Sequence, residues 1–181
     1  KELACLQQLS DIIVDSASTK EQILQQTVAI LPGSWLHAKS AVGAISLDGE
    51  HYETGELAKC VDKLVAEIAI AGSHRGTVSV GYLERHSPQV EGPFLAEERA
   101  LIDAIAERIG HAIERLEILE LIKSEQSTLQ AVLNGIDDVI YVSDPETYEL
   151  LHVNSAFEKI WGKDWRDEKC YQILQGRDSP C

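Results

Sequence analysis

The sequence predicts an α+β fold: a small antiparallel sheet packed on helices, a long coiled-coil-type linker helix, and an incomplete α/β fragment after it. Three observations predict it. Apolar residues recur at 3–4 spacing early in the chain, alternate between Ala41 and Glu84, and return to 3–4 spacing after Pro93. Asp48-Gly49 between two alternating runs is a two-residue hairpin signal. Between Pro93 and Asn134 the only glycine is Gly110 and no second proline occurs, so one helix of roughly 60 Å is expected.

Lys1 to about Asp15 reads as a helix, with Leu3, Leu6, Leu9, Ile13 and Val14 on one stripe. Ser16 to Ser18 is a break. Thr19 followed by Gln22 has capping-box form. The helix it opens carries Ile23, Leu24, Val28 and Leu31 and is expected to stop at Pro32-Gly33. Ala41–Leu47 and Glu50–Thr54 form the first hairpin, and Gly55 to Asp62 is a connection. Lys63–Ala71 and Thr77–Glu84 form the second hairpin, with Gly72–Gly76 as its turn. Strands without intervening helices pair antiparallel. After Gly135, Val139–Val142 and Leu150–Val153 read as a hairpin. A short helix capped by Asn154 follows, then another over Asp167–Gln175 with Cys170, Ile173 and Leu174 inward.

The long helix is expected to start at Pro93, with Glu97 and Glu98 favouring the positive end of its dipole. Ile102, Ile105, Ile109, Ala112, Leu116 and Leu119 step 3-4-3-4-3, the spacing of a coiled-coil seam. Ile122, Gln126, Leu129 and Leu133 continue it after a step of 3 where 4 is due, a local phase slip. The first half is expected to pack on a domain and a partner helix together, the second half on a partner helix. The competing reading is an amphipathic helix broken near Ser124–Ser127 and covered by its own domain.

Net charge is −14, with 30 acidic against 16 basic residues, which excludes a basic nucleic-acid surface. No apolar run approaches the roughly 18 residues that span a membrane. The chain opens at Lys1 and lacks methionine, as an excerpt of a longer polypeptide would. Cys5, Cys60, Cys170 and Cys181 have no close pairing, which suits a reducing cytoplasm.

Two stretches carry resemblances. Gly135-Ile136-Asp137-Asp138-Val139-Ile140-Tyr141-Val142-Ser143-Asp144, then His152-Val153-Asn154-Ser155-Ala156-Phe157 and Trp161-Gly162, resemble the amino-terminal half of a PAS sensory domain. Leu31-Pro32-Gly33-Ser34-Trp35, the run Gly76–Glu84 and the run Gly92–Ile102 resemble a compact GAF domain. The resemblance implies a GAF-like core at 1–92, a helix at 93–134 that completes it, links and dimerises, and a truncated PAS domain at 135–181. It implies a cytoplasmic relay in a parallel homodimer of a bacterial sensor. A downstream output domain in the same chain, a histidine kinase or diguanylate cyclase unit, would follow.

No catalytic residue follows from these spacings: no phosphate loop, no nucleophile elbow, no H-E-x-x-H and no C-x-x-C occurs. His111 lacks the context of a phosphoacceptor and reads as a position flanking the seam. Cys170 and Cys181 in KCYQILQGRDSPC resemble a cysteine-bearing stretch of related PAS domains, which implies a redox or metal role. A buried Cys170 and an unpaired Cys181 is the plainer reading. No cofactor is predicted. The alternative function is a small-ligand or haem sensor in a GAF pocket, with His37, His51 and His74 gathered near it; the resemblance places such a ligand beneath the Gly55–Asp62 connection. That connection is short and has no aromatics, and the contact set for a cyclic nucleotide is missing. Trp35, Trp161 and Trp165 are expected in cores.

Overall fold

The computed structural model describes residues 2–14 and 18–181, so the expected start at Lys1, end at Asp15 and break at Ser16 lie outside the described residues. The architecture is α+β, in two units, Lys1–Ile118 and Leu119–Cys181. The first holds α1 (Glu2–Val14), α2 (Lys20–Ser34), β1 (Ala41–Leu47), β2 (Glu50–Glu53), β3 (Asp62–Ile70), β4 (Ser73–Tyr82) and the first part of α3 (Ala96–Asn134). Its strands form one antiparallel sheet in the order β2-β1-β4-β3.

Register explains the core. Ile45 pairs with Val78, and Val78 with Ala66, so these three share a face, and period-two alternation places Leu47, Val80, Tyr82, Leu64 and Ile68 with them. Leu9 of α1, Leu24 and Leu31 of α2, Trp35, and Ile102, Ile105 and Ile109 of α3 bury themselves in the same cluster. On α1 the stripe is shifted: Cys5 and Leu9 are buried while Leu3 and Val14 are exposed. The opposite sheet face carries Val42, Ala44, Ser79 and Gly81. Cys60 lies on it so closely that a Cβ on Gly81 would sit 2.6 Å from the Cys60 Cβ.

The turns follow local chemistry, with two corrections. Asp48 (φ 53°) and Gly49 (φ 86°) both have positive φ, as a type I′ hairpin turn requires. Ala71 (φ 49°) and Gly72 (φ 76°) do the same, so the second turn needs two residues only. Ser73, His74, Arg75 and Gly76, expected in that turn, therefore belong to β4. The capping box is formed: Thr19 N donates to Gln22 Oε1 at 2.9 Å and Gln22 N to Thr19 Oγ1 at 3.3 Å. Pro32 does not end α2; it lies inside the last turn, which runs to Ser34 and is followed by the fully buried Trp35.

Pro93 is not the first residue of the long helix either. Gly92 takes φ 60°, Glu91 bridges to Phe94, and Phe94 stacks on Tyr82 at 4.7 Å, so the chain turns there and α3 begins at Ala96. No break occurs near Ser124–Ser127; α3 is continuous to Asn134.

The second unit pairs β5 (Tyr141–Ser143) with β6 (Leu150–Val153) and adds α4 (Ser155–Trp161) and α5 (Cys170–Gln175). Leu150, Val153, Phe157 and Trp165 form its core, with Trp161, Cys170, Ile173 and Leu174 packed against it.

Candidate functional site

The site is built from α3, and its first half is committed to the chain's own core. Ile102, Ile105 and Ile109 are fully buried, Ala112 is buried and Leu116 is half-buried against the same cluster. These five of the six expected seam positions are thus covered within the chain. Leu119 alone is open, at 52% exposure. The reason is width: Leu101, Ala106 and Ile113 are buried too, so this half presents a broad apolar face to the sheet rather than a narrow seam.

A different stripe takes over beyond Glu117. Ile118, Leu119, Ile122 and Leu129 are all exposed, and Leu133 and the polar Gln126 share their face. At 3.6 residues per turn this stripe lies about a third of a turn around the helix from the buried one. The change begins at Ile118, just before the irregular step from Leu119 to Ile122. Farther along, Leu129 and Leu133 line a groove of about 420 Å³ with Gln126, Gln130, Val142 and His152. His152 pairs with Val142 across β5 and β6, so both face the same way. His152 Nε2 is enclosed without a hydrogen-bond partner.

The helix is fastened at both ends. In the first unit, Glu98 is buried and accepts from Leu95 N at 2.8 Å, Leu36 N at 2.8 Å and Tyr82 Oη at 3.1 Å. Burial, and then the Glu98 carboxylate, push the Tyr82 phenol far above its ordinary value. In the second unit, Asn154 is fully buried. Its Nδ2 lies 3.2 Å from Leu133 O, 3.2 Å from Ile136 O and 2.8 Å from Asp138 O. Its Oδ1 accepts from Ile140 N at 3.0 Å and Phe157 N at 3.1 Å. One amide thus caps α4 and also ties down the end of α3. The cap is legible in the sequence; the second role is not, because its acceptors lie about twenty residues away.

His37, His51 and His74 are not brought together. His37 stacks on His86 at 3.6 Å, His51 bonds Ser46 at 2.7 Å, and His74 lies 3.7 Å from Glu67. The missed partner is His86, which also bonds Ser40 at 2.8 Å. Cys170 packs in the second core, whereas the exposed Cys181 lies 3.5 Å from Gln175; both are free thiols. Among the described residues no group of three or more His, Cys, Asp or Glu side chains is placed to hold a metal ion. None of their helices is long and apolar enough to cross a membrane.

Residues 127–181 match the PAS domain family model, a type of sensory module. The match begins inside α3 and includes Asn154. Among solved structures, a chain of the crystal structure of the E. coli DhaR(N)–DhaL complex is similar, with a TM-score of 0.50 and 13% identity. The similarity covers 91% of this chain and 72% of that one. At that identity the likeness speaks for the fold alone. No curated protein matches the chain in sequence.

Proposed function

We propose that the chain is the sensory and dimerisation segment of a bacterial signalling protein, relaying a signal from a GAF-like core through paired α3 helices to a PAS domain and an output domain beyond it. One observation carries this reading: the exposed stripe Ile118, Leu119, Ile122, Gln126, Leu129 on a continuous helix that enters a PAS-matched segment. Apolar side chains at 3–4 spacing on a helix drive association when nothing within the chain covers them. The partner is a second copy in parallel alignment, and Gln126, the one polar position on the stripe, fixes the register. The protein acts in the cytoplasm and performs no catalysis in this segment. Its output is a histidine kinase or diguanylate cyclase unit. The division into a GAF-like core at 1–92, a linking helix at 93–134 and a PAS segment from 135 belongs to the same reading.

The test is cysteine cross-linking in a background with the four native cysteines replaced by serine or alanine. Leu129→Cys is expected to form a covalent dimer under mild oxidant, because parallel alignment sets it against its own copy. Ala131→Cys, on the opposite side of the helix, is expected to remain largely monomeric. Equal yields at the two positions would contradict the pairing.

A further inference from the structure

Four charged side chains from four elements meet near the end of the part of α3 that belongs to the first unit. Lys20 Nζ, at the start of α2, lies 2.7 Å from Asp48 Oδ2 in the β1–β2 turn. Arg75 on β4 donates to both oxygens of Asp48, through Nε at 2.8 Å and Nη2 at 2.7 Å. The same guanidinium donates to both oxygens of Glu117 on α3, through Nη1 at 2.8 Å and Nη2 at 2.7 Å. Both edges of one planar group are therefore occupied fork to fork. Gly76 makes the approach possible: a Cβ there would sit 2.1 Å from Ser46 O, so only glycine lets β4 run this close to the first hairpin.

A lone surface ion pair contributes little, typically about 0–1 kcal/mol. What distinguishes this group is direction and place. Two bidentate contacts fix the plane of the guanidinium, and with it the angular position of Glu117 about the helix axis. The next residues, Ile118 and Leu119, are the first of the exposed stripe.

We propose that Lys20, Asp48, Arg75 and Glu117 form a latch that sets the rotational phase of α3 as it leaves the first unit, so that a shift of the β1–β2 turn or of the start of β4 changes the helix face presented from Ile118 onward. The use of that phase rests on the dimeric relay; the latch itself does not.

Hydrogen exchange read by mass spectrometry on the whole chain tests it, with Arg75→Met, Glu117→Gln and the double variant. Amides over residues 113–122 are expected to exchange about fivefold faster in each single variant, and no faster in the double, while those of β3 and β4 are unchanged. Should Arg75→Met fail to fold, Glu117→Gln decides, since that side chain is 42% exposed. Unchanged exchange in folded Glu117→Gln overturns the latch. Solution mass of the same samples separates the two ideas. A monomeric wild type with latch-dependent exchange removes the relay and keeps the latch. A dimeric wild type with latch-independent exchange does the reverse.

Discussion

Gly110 shows how a single residue places an element. A Cβ at that position would lie 2.3 Å from Ala69 O, so α3 crosses the end of β3 at backbone contact. Alanine is the better helix former by about 1 kcal/mol, yet here it must push the helix off the sheet. Gly110→Ala is therefore expected to destabilise the first unit by about 1–3 kcal/mol, read by thermal unfolding; a gain in melting temperature would refute the close contact. Asn154 works the other way, through bonds made. Asn154→Ala leaves buried backbone groups unpaired at about 1–3 kcal/mol each, so denaturant unfolding followed by the fluorescence of Trp161 and Trp165 should move to lower midpoint. At this scale the sequence is readable where chemistry is local. The Thr19 and Gln22 cap and the Asp48-Gly49 turn depend on their own neighbours. The reasons for Gly76 and Gly110 lie in Ser46 and Ala69, which no local pattern names.

Among elements, the latch makes a prediction about acid. The Arg75 guanidinium, and then Lys20, hold the Asp48 carboxyl down to about 2, against an ordinary 3.8. Arg75 likewise holds Glu117 below its ordinary value. Depressed carboxyls stabilise the fold above their ordinary range and lose that effect as pH falls toward the folded value. Stability of the first unit is thus expected to drop between about pH 4 and pH 2, and Asp48→Asn should flatten that part of the curve in acid unfolding followed by circular dichroism. An identical acid limb in the variant would show that the contact is not formed in solution. The existence and order of elements are legible because their periods differ. Boundaries are less so: Pro93 and Pro32 sit where helix signals point, and tertiary demands move both ends. Phe94 must reach Tyr82, and Trp35 must reach the core. The 3–4 spacing from Ile102 to Leu116 is common to a coiled-coil seam and to a helix lying on a sheet, so spacing alone cannot say which surface covers it.

For the molecule as a whole, the central question is what covers α3 beyond Glu117. The α+β class is legible from alternation and turn signals, and the PAS segment from its V-N-S-A-F run. The exposed stripe is legible only in part: the step of 3 at Ile122 lies within it, but burial of Ile102, Ile105 and Ile109 is needed to see that the apolar face beyond Glu117 is a different one. The most direct measurement is the solution mass by light scattering of the wild type, Ile122→Glu and Leu129→Glu. Both residues are exposed in the single chain, so these charges should leave the fold intact while opposing association. A wild-type dimer that falls to monomer in either variant is the expected result, with unchanged circular dichroism. A wild type already monomeric at high concentration, or a dimer indifferent to both charges, would contradict a relay through paired helices.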